Sequence, residues 1–228
     1  MALYLSVLVV SKDYKLLNKM LRSLDEAISL KPEDIEIICS WNGSKKDESL
    51  IRNESKFSFN IVSRDSYHFA RNMNKLANYS KGENLLFIND DVILDKKSVI
   101  NGLECFSIGN NVGIVGGRLR YPNNLLQHAG IAFDEKDYPY HILQSKIYAQ
   151  DNLISNIIQP VPAITGALVL IKRNIFEKIM FNESYTRSGE DIELCLDIRE
   201  KLNLKVYYSA DFSGLHISSA TKKVEDQE

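Results

Sequence analysis

The sequence predicts an α/β fold with a mainly parallel central sheet and helices on both of its faces. Residues 5–10 form a short apolar run rich in β-branched side chains, which is typical of a strand buried on both faces. Apolar residues then recur at helical spacing across residues 14–29, and the Lys31-Pro32 pair ends that predicted helix. The strand-then-helix alternation continues to residue 91 and indicates parallel strands joined by crossover helices.

The remaining elements of the first half follow the same pattern. Residues 35–39 form the second predicted strand, and Asn42-Gly43 after it is a strong turn signal. Residues 60–62 predict a weaker third strand, residues 69–79 predict a helix, and residues 85–88 predict the fourth strand. We therefore expect the first half to supply the parallel part of the sheet.

The second half has a less regular pattern. Residues 112–119 predict a strand that Gly116-Gly117 breaks, whereas residues 134–159 lack clear periodicity and predict an irregular or helical insertion. The polar residues 220–228 are expected to form a frayed tail. Further strands are expected at residues 129–133, 167–171, 205–208 and 212–216, and further helices at residues 173–179 and 190–201.

Length and composition indicate one globular domain. With 228 residues, the chain can bury its own core but is short for two full domains. The 28 basic and 30 acidic residues give a net charge of −2, which argues against nucleic acid as a partner. Cys39, Cys105 and Cys195 lack metal-site spacing, so we expect them to be buried thiols in a reducing compartment. The apolar residues 2–10 are too few to span a membrane, and we expect a cytoplasmic protein.

The ends of three predicted strands form the expected ligand site, because open parallel sheets bind ligands beyond their carboxyl edge. These ends are Val10-Ser11, Trp41-Asn42 and Asn89-Asp90-Asp91. Two adjacent carboxylates repel each other, and Mg²⁺ or Mn²⁺ would relieve that repulsion and could bridge a diphosphate. A solvated acidic turn is the alternative interpretation of Asp90 and Asp91. The chain has no Gly-rich phosphate loop after the first strand.

Six motifs, in this order and spacing, resemble those of family 2 glycosyltransferases with the GT-A fold, and the resemblance covers nearly the whole chain. The motifs are residues 5–11 with Leu21-Arg22-Ser23-Leu24, Trp41-Asn42-Gly43-Ser44, Ala70-Arg71-Asn72, Phe87-Ile88-Asn89-Asp90-Asp91, Thr165-Gly166-Ala167, and residues 188–193 with the sequence Ser-Gly-Glu-Asp-Ile-Glu. Each motif alone is weak, whereas six of them together are a strong indication.

The resemblance implies a single GT-A domain in which residues 1–95 bind the nucleotide sugar and residues 96–219 bind the acceptor. Asp91 and His216 would hold Mn²⁺ or Mg²⁺. Glu190 and Asp191 would be catalytic, with Asp191 as the base that takes the proton of the acceptor hydroxyl. The residues that would hold the nucleotide are Val10, Ser11, Trp41, Asn42, Arg71, Asn89 and Asp90.

The implied activity is an inverting transfer of a sugar from a nucleotide-diphosphate sugar to an acceptor hydroxyl, in bacterial surface polysaccharide or glycan assembly. Trp41 replaces an acidic residue that commonly recognises the base in this family, so a UDP- or dTDP-linked donor is expected. The Gln-x-x-Arg-Trp motif of processive synthases is absent, which favours a non-processive enzyme. The expected acceptor is a glycan or a lipid-linked saccharide, with peripheral contact at the inner face of the membrane.

Several alternatives stay open at this point. The chain could be a non-catalytic module that binds a sugar nucleotide or a partner, or a sugar nucleotidyltransferase. Asp191 fits position N3 of a capping box in which Ser188 is the N-cap, and that role needs no catalysis. His68, His128 and His141 are expected to be structural or to face the acceptor.

Overall fold

The computed structural model describes residues 3–217, and the predicted frayed segment 220–228 lies outside them. A ten-stranded sheet forms the centre of the fold. The strands of the first half are β1 (Leu3–Ser11), β2 (Ile35–Trp41), β3 (Ser58–Ser63), β4 (Gly82–Asn89) and β5 (Val92–Leu94). Its helices are α1 (Tyr14–Ala27), α2 (Lys45–Glu48) and α3 (Phe69–Tyr79).

The second half contains seven further strands and three further helices among the described residues. The strands are β6 (Val112–Arg120), β7 (Leu126–His128), β8 (Ile131–Phe133), β9 (Pro139–His141), β10 (Ile158–Pro160), β11 (Leu168–Lys172) and β12 (Lys205–His216). The helices are α4 (Ser98–Glu104), α5 (Arg173–Ile179) and α6 (Glu190–Leu202).

The predicted parallel arrangement is confirmed for the first half, where β3, β2, β1 and β4 are neighbours and all pair in parallel. The second half makes the sheet mixed, because β11 pairs antiparallel with both β4 and β6. Strand β12 then runs parallel to β6. A separate pair, β8 with β9, lies outside the main sheet.

Helices cover both faces of the sheet, as predicted, and the alternation along β1 shows why. Val7 and Val9 belong to a buried cluster that includes Leu17 and Leu21 of α1. Leu8, between the two valines, belongs to the opposite cluster, which contains residues of α3 and α6. Because side chains alternate across a strand, a run of apolar residues can fill two cores at once.

The predicted break at Gly116-Gly117 is wrong, because β6 is continuous through both residues. A Cβ atom at Gly116 would come within 2.5 Å of Ile164 Cγ2, and one at Gly117 within 2.5 Å of Leu168 Cδ2. The two glycines are therefore explained by the side chains of Ile164 and Leu168, which pack closely against the backbone of β6.

Other boundaries in the second half also differ from the prediction. The two strands expected at residues 205–216 are one strand, β12, with an irregular register between Ser209 and Ser213. The strand expected at residues 129–133 is shorter and begins at Ile131, because Gly130 has a φ of +103° that is incompatible with a regular strand. The insertion at residues 134–159 is irregular, as expected, but none of it is helical.

The three cysteines are buried free thiols, as predicted. No helix within residues 3–217 combines the length and the apolar character that crossing a membrane requires.

Candidate active site

A cavity of about 890 Å³ opens where the carboxyl ends of β1 and β4 meet the start of α6 and the end of β12. Both halves of the chain contribute to its wall. Eight residues that the sequence predicted for the site line this cavity: Val10, Ser11, Asn89, Asp90, Asp91, Glu190, Asp191 and His216. The fold therefore brings together carboxylates that are about 100 positions apart along the chain.

Asp90 and Asp91 have different partners, although they are adjacent at the end of β4. The Ser11 hydroxyl donates a hydrogen bond to Asp90 Oδ2 at 2.6 Å. Burial raises the pKa of Asp90 to about 7, and the neighbouring charge of Asp91 adds to that rise. Asp91 instead contacts His216, with 3.0 Å between Oδ1 and the ring Nε2. Only Asp91 of the two is therefore paired with a metal-binding side chain.

Asp91 and His216 are suited to hold a divalent ion. Gln127 Oε1 lies 2.8 Å from His216 Nδ1 and can accept a proton on that nitrogen, which holds the ring with Nε2 facing Asp91. A divalent ion between Nε2 and the carboxylate would take the place of the proton that this contact otherwise needs. The 3.0 Å between Asp91 Oδ1 and His216 Nε2 is a hydrogen-bond distance, and these two atoms are the ones that would hold a divalent ion. In residues 3–217 no group of three or more His, Cys, Asp or Glu side chains has the geometry of a metal site. Further ligands would therefore have to come from a bound substrate or water.

Asp191 is anchored by backbone N–H groups of two segments. Gly166 N donates to Oδ2 at 2.8 Å, and Ile192 N donates to Oδ1 at 2.9 Å. Burial raises the pKa of the Asp191 carboxyl, and these two backbone donors oppose the rise. Burial also raises the pKa of the neighbouring Glu190. Asp191 is thus a carboxylate with a fixed orientation and an elevated proton affinity.

The capping-box interpretation of Asp191 is wrong. The N-cap residue of α6 is Gly189, with a φ of +114°, and it makes no side-chain capping hydrogen bond. A capping box needs a Ser or Thr side chain at that position. Ser188 lines the cavity one residue earlier. Instead of capping its own helix, the Asp191 carboxylate accepts a hydrogen bond from Gly166 N, in the segment that precedes β11.

Trp41 does not occupy the position that the sequence suggested. Its side chain is 1% exposed and belongs to the core cluster on the α1 face. The indole Nε1 donates to the carbonyl oxygen of Ser44 at 3.1 Å. A Cβ atom on Gly43 would come within 2.4 Å of the indole ring, which shows how closely the turn packs on it. The expectation that Trp41 holds the nucleotide is corrected, because its ring lies in the core behind the turn.

Asn42 and Arg71 also lie outside the set of described residues that line the cavity. Asn42 Nδ2 contacts Asp65 O and Ser40 Oγ, whereas its buried Oδ1 has no hydrogen-bond partner within the described chain. Arg71 is exposed on α3, and its guanidinium lies 3.6 Å from Glu183. Their predicted nucleotide contacts remain predictions.

The cavity wall also contains residues outside the predicted catalytic, nucleotide and metal sets. His128 and His141 line the wall near the second-half carboxylates, and Arg187 contributes a cation from the loop before α6. His68 caps α3, because its Nδ1 accepts from Arg71 N at 3.3 Å, which confirms a structural role for this histidine. The Gln127-His128 pair was a visible signal, but no local pattern indicates what these side chains contact.

The family model of Glycosyl transferase family 2 matches residues 6–180 of the chain. Among curated proteins, an uncharacterized protein, y4gI, of Sinorhizobium fredii (strain NBRC 101917 / NGR234) is 27% identical over 175 residues, which are 75% of this chain and 18% of that protein. The O-antigen biosynthesis protein RfbC of Myxococcus xanthus is 24% identical over 205 residues, which are 86% of this chain and 15% of that protein. The chain thus spans less than a fifth of the length of these relatives.

Two solved structures show the same fold. The mannosyltransferase PcManGT from Pyrobaculum calidifontis, in complex with GDP-Man and Mn²⁺, has a TM-score of 0.69 at 12% identity and covers 97% of this chain and 59% of its own. GalNAc-T7 with UDP, GalNAc and Mn²⁺ has a TM-score of 0.68 at 14% identity and covers 95% of this chain and 44% of its own. With a family model over most of its length and the architecture of these enzymes, the chain belongs to glycosyl transferase family 2 and has the GT-A fold.

Proposed function

We propose that this domain is an inverting glycosyltransferase that moves a sugar from a nucleotide-diphosphate sugar to an acceptor hydroxyl. One observation carries the proposal: a single cavity is lined both by the Asp91–His216 pair at the end of β4 and by the anchored carboxylate of Asp191 from the other half of the chain. A transferase of this kind needs one group for the leaving diphosphate and a separate base for the acceptor.

The donor would bind over β1 and β4. The Val10 and Ser11 segment and the Asn89-Asp90 segment line that side of the cavity. The Ser11 hydroxyl donates a hydrogen bond to Asp90, and this bond fixes the Asp90 carboxylate against β1. The remaining lone pairs of Asp90 can accept from a ribose hydroxyl, a contact for which a carboxylate is well suited.

Asp91 and His216 would hold Mn²⁺ or Mg²⁺. When bound, such an ion offsets the negative charge that develops on the departing diphosphate. The solved structures of PcManGT and GalNAc-T7, whose fold is similar, both contain Mn²⁺. The mixed oxygen and nitrogen ligands of this pair favour Mn²⁺ over Mg²⁺, because Mg²⁺ prefers oxygen ligands alone.

Asp191 would act as the general base. It takes the proton of the acceptor hydroxyl while that oxygen attacks the anomeric carbon, and the bond from this carbon to the diphosphate oxygen breaks on the opposite face. The elevated pKa of Asp191 makes its carboxylate a better proton acceptor than an exposed aspartate. The hydrogen bonds from Gly166 and Ile192 hold the carboxylate in place without protonating it.

We propose a glycan or lipid-linked saccharide as the acceptor, with polysaccharide assembly as the setting. The similarity to RfbC, an O-antigen biosynthesis protein, supports this assignment. The nucleotide base of the donor is left open between uracil, thymine and guanine, because the indole of Trp41 is in the core and is not positioned to select a base. The proposed donors therefore include GDP-linked sugars in addition to the UDP- and dTDP-linked sugars expected from the sequence.

A screen of UDP-, dTDP- and GDP-linked sugars tests the proposal. We expect one class to raise the melting temperature in the presence of Mn²⁺, since a ligand at 100 times its Kd stabilises a fold by about 2.7 kcal/mol. The same class should be hydrolysed slowly, with water as the acceptor, and EDTA should abolish both effects.

The base is tested with Asp191→Asn, which should bind the donor but hydrolyse it much more slowly than the parent. The matched control is Asp197→Asn, because Asp197 lies on the same helix and forms a surface ion pair with Lys201. Binding without hydrolysis, in the parent and in all variants, would identify the non-catalytic module instead.

A further inference from the structure

The outward face of α1 carries a stripe of basic side chains. The apolar residues of this helix cover one of its faces and pack on the sheet. Lys15, Lys19 and Arg22 are exposed and recur at spacings of four and three residues, so they lie together on the opposite face. Lys12, also exposed, lies two residues before the helix and extends the stripe to the wall of the cavity.

A second basic segment, residues 45–56, lies beside this stripe. The turn that leads into it is close to α1, because a Cβ atom on Gly43 would come within 2.6 Å of the Lys12 carbonyl oxygen. Further along, the Asn18 side chain accepts a hydrogen bond from Arg52 N at 2.8 Å and donates one to Leu50 O at 3.2 Å. The two segments form one surface, the basic face, whose exposed cations are Lys12, Lys15, Lys19, Arg22, Lys45, Lys46, Arg52 and Lys56.

This surface is positive, although the chain as a whole is not. Residues 12–22 and 45–56 contain eight basic and four acidic residues, whereas the net charge of the chain is −2. Three of the acidic residues have partners other than lysine: Asp13 caps α1, Glu54 pairs with Arg22, and Glu48 pairs with an arginine outside the basic face. Within residues 3–217, no lysine of the basic face forms an ion pair.

The charges without an ionic partner are therefore lysines, and this indicates which kind of partner fits. Arg22 holds Glu54, and Arg52 Nη1 donates to the carbonyl oxygens of Ser49 and Ile51, each at 2.9 Å. Arginine grips a single phosphate or carboxylate with two parallel hydrogen bonds, whereas lysine is a point charge on a flexible stem. Lysines spread over the outside of a helix are suited to a surface with many anionic groups.

An apolar side chain lies among these lysines. Leu50 is 38% exposed, and its backbone is tied to α1 by the hydrogen bond from Asn18. The boundary between the headgroups and the acyl chains of a bilayer accommodates lysines and an exposed leucine together. The combination favours an anionic membrane over a soluble polyanion such as a nucleic acid.

We infer that the basic face is a docking surface for an anionic lipid membrane, with α1 lying along the headgroups. Because Lys12 also lines the cavity, docking by this face brings one side of the cavity to the membrane surface. A lipid-linked acceptor would then meet the cavity at the headgroups. That consequence rests on the proposed function, whereas the docking surface does not.

Sedimentation with lipid vesicles tests the docking surface and needs no sugar nucleotide. We expect the chain to bind vesicles of equal parts phosphatidylglycerol and phosphatidylcholine, and not vesicles of phosphatidylcholine alone. High salt should release it, because exposed charges are screened. Lys15→Gln combined with Lys19→Gln should weaken binding about 25-fold, since each lysine near an anionic membrane contributes about fivefold.

The matched control is Lys136→Gln combined with Lys146→Gln, which removes two exposed lysines from the 134–159 insertion and changes the net charge equally. This control should bind the vesicles like the parent. Equal losses in the two double variants, equal binding to both kinds of vesicle, or no binding by the parent would overturn the docking surface. Tighter binding to single-stranded DNA than to anionic vesicles would also overturn it and would assign the face to a nucleic acid.

Donor hydrolysis without vesicles separates this inference from the proposed function. Both double variants should hydrolyse the donor at the parental rate and keep the parental melting temperature, because the described residues that line the cavity include none of these four lysines. If the parent hydrolyses no sugar nucleotide at all, the proposed function fails, and the vesicle experiment still decides the docking surface.

Discussion

The carboxyl ends of β2 and β4 lie at the same edge of the sheet, but the residues that follow them differ in location and in partners. After β4, Asp90 and Asp91 enter the cavity and contact Ser11 and His216. At the end of β2, Trp41 is buried in the core. The general rule that ligands bind beyond strand ends selects both positions equally. The difference therefore comes from what packs on each end.

The turn after β2 closes back onto the protein. Asn42 N donates to the carbonyl oxygen of Ser11 at 2.7 Å, which draws the turn toward β1. Ser44 then caps α2, since its hydroxyl accepts from Asp47 N at 3.0 Å. The indole fills the space beneath this turn, whereas the charged side chains after β4 could not be buried there without a large desolvation cost. A strand end is thus a permitted location for a site, and the residue types that follow decide whether a site forms.

The largest expected effect is on stability, at the β2 end. Trp41→Ala should lower the free energy of unfolding by about 3–5 kcal/mol, because it leaves a cavity in the core. Urea denaturation of parent and variant measures the loss, and Trp41→Phe, which keeps most of the volume, is the control with a smaller loss. Nucleotide affinity should not change while the variant is folded. Unchanged stability with weaker nucleotide binding would reverse the comparison of the two strand ends.

The next effect is on turnover and concerns the carboxylate that does not come from a strand end. Asp191→Asn keeps the shape of the side chain and an oxygen for Gly166 N–H, but it removes the base. We expect kcat for the donor identified by the screen to fall about 10²-fold or more, with donor affinity within a few-fold of the parent. Asp197→Asn should retain parental turnover. A variant that loses thermal stability and keeps its turnover would indicate a structural role.

At the β4 end, Asp91→Asn should weaken donor binding in the presence of Mn²⁺ by about tenfold or more, since it removes one charged ligand. The fold should stay intact, because the substitution also relieves repulsion between neighbouring carboxylates. Calorimetric titration with and without EDTA measures the effect, and Asp211→Asn, at an exposed position of β12, is the control. Equal donor affinity in EDTA and in Mn²⁺ would argue against a metal at this strand end.

The smallest effect is a shift along the pH axis. Asp191 must be ionised to accept a proton, and burial raises its pKa. The acidic limb of kcat/KM should therefore lie above the ordinary aspartate pKa of about 3.9, with activity lost as the pH falls through the elevated value. The same shift means that ionising Asp191 destabilises the folded state. This destabilisation is absent at a pH below the pKa of Asp191 in the unfolded chain, and it grows as the pH rises through the higher pKa of the folded protein. The melting temperature of the parent relative to Asp191→Asn should therefore fall as the pH rises from 4 to 8, and the opposite trend would contradict the assigned shift.

The sequence by itself determined the elements whose signals are local. Periodic apolar residues predicted α1 and α3, and the buried runs predicted β1, β2 and β4, because side chains repeat along a helix or a strand wherever one face is buried. The motif around Asp90 and Asp91 and the motif around Asp191 were also recognisable, since each lies within a few adjacent residues.

The tertiary structure alone decided which groups meet. Asp91 and His216 are 125 positions apart, and Asp191 and the amide of Gly166 are 25 apart. The ring contact of His128 with His141 joins two strands, β7 and β9, that do not pair with each other. The tertiary structure also placed Trp41 behind its turn and made Gly116 a point of close packing. No local pattern carries this information, because such contacts depend on chain crossings and on the volume left between elements. The sequence therefore supplied the chemical groups, and the packing of the second half against the first determined their partners.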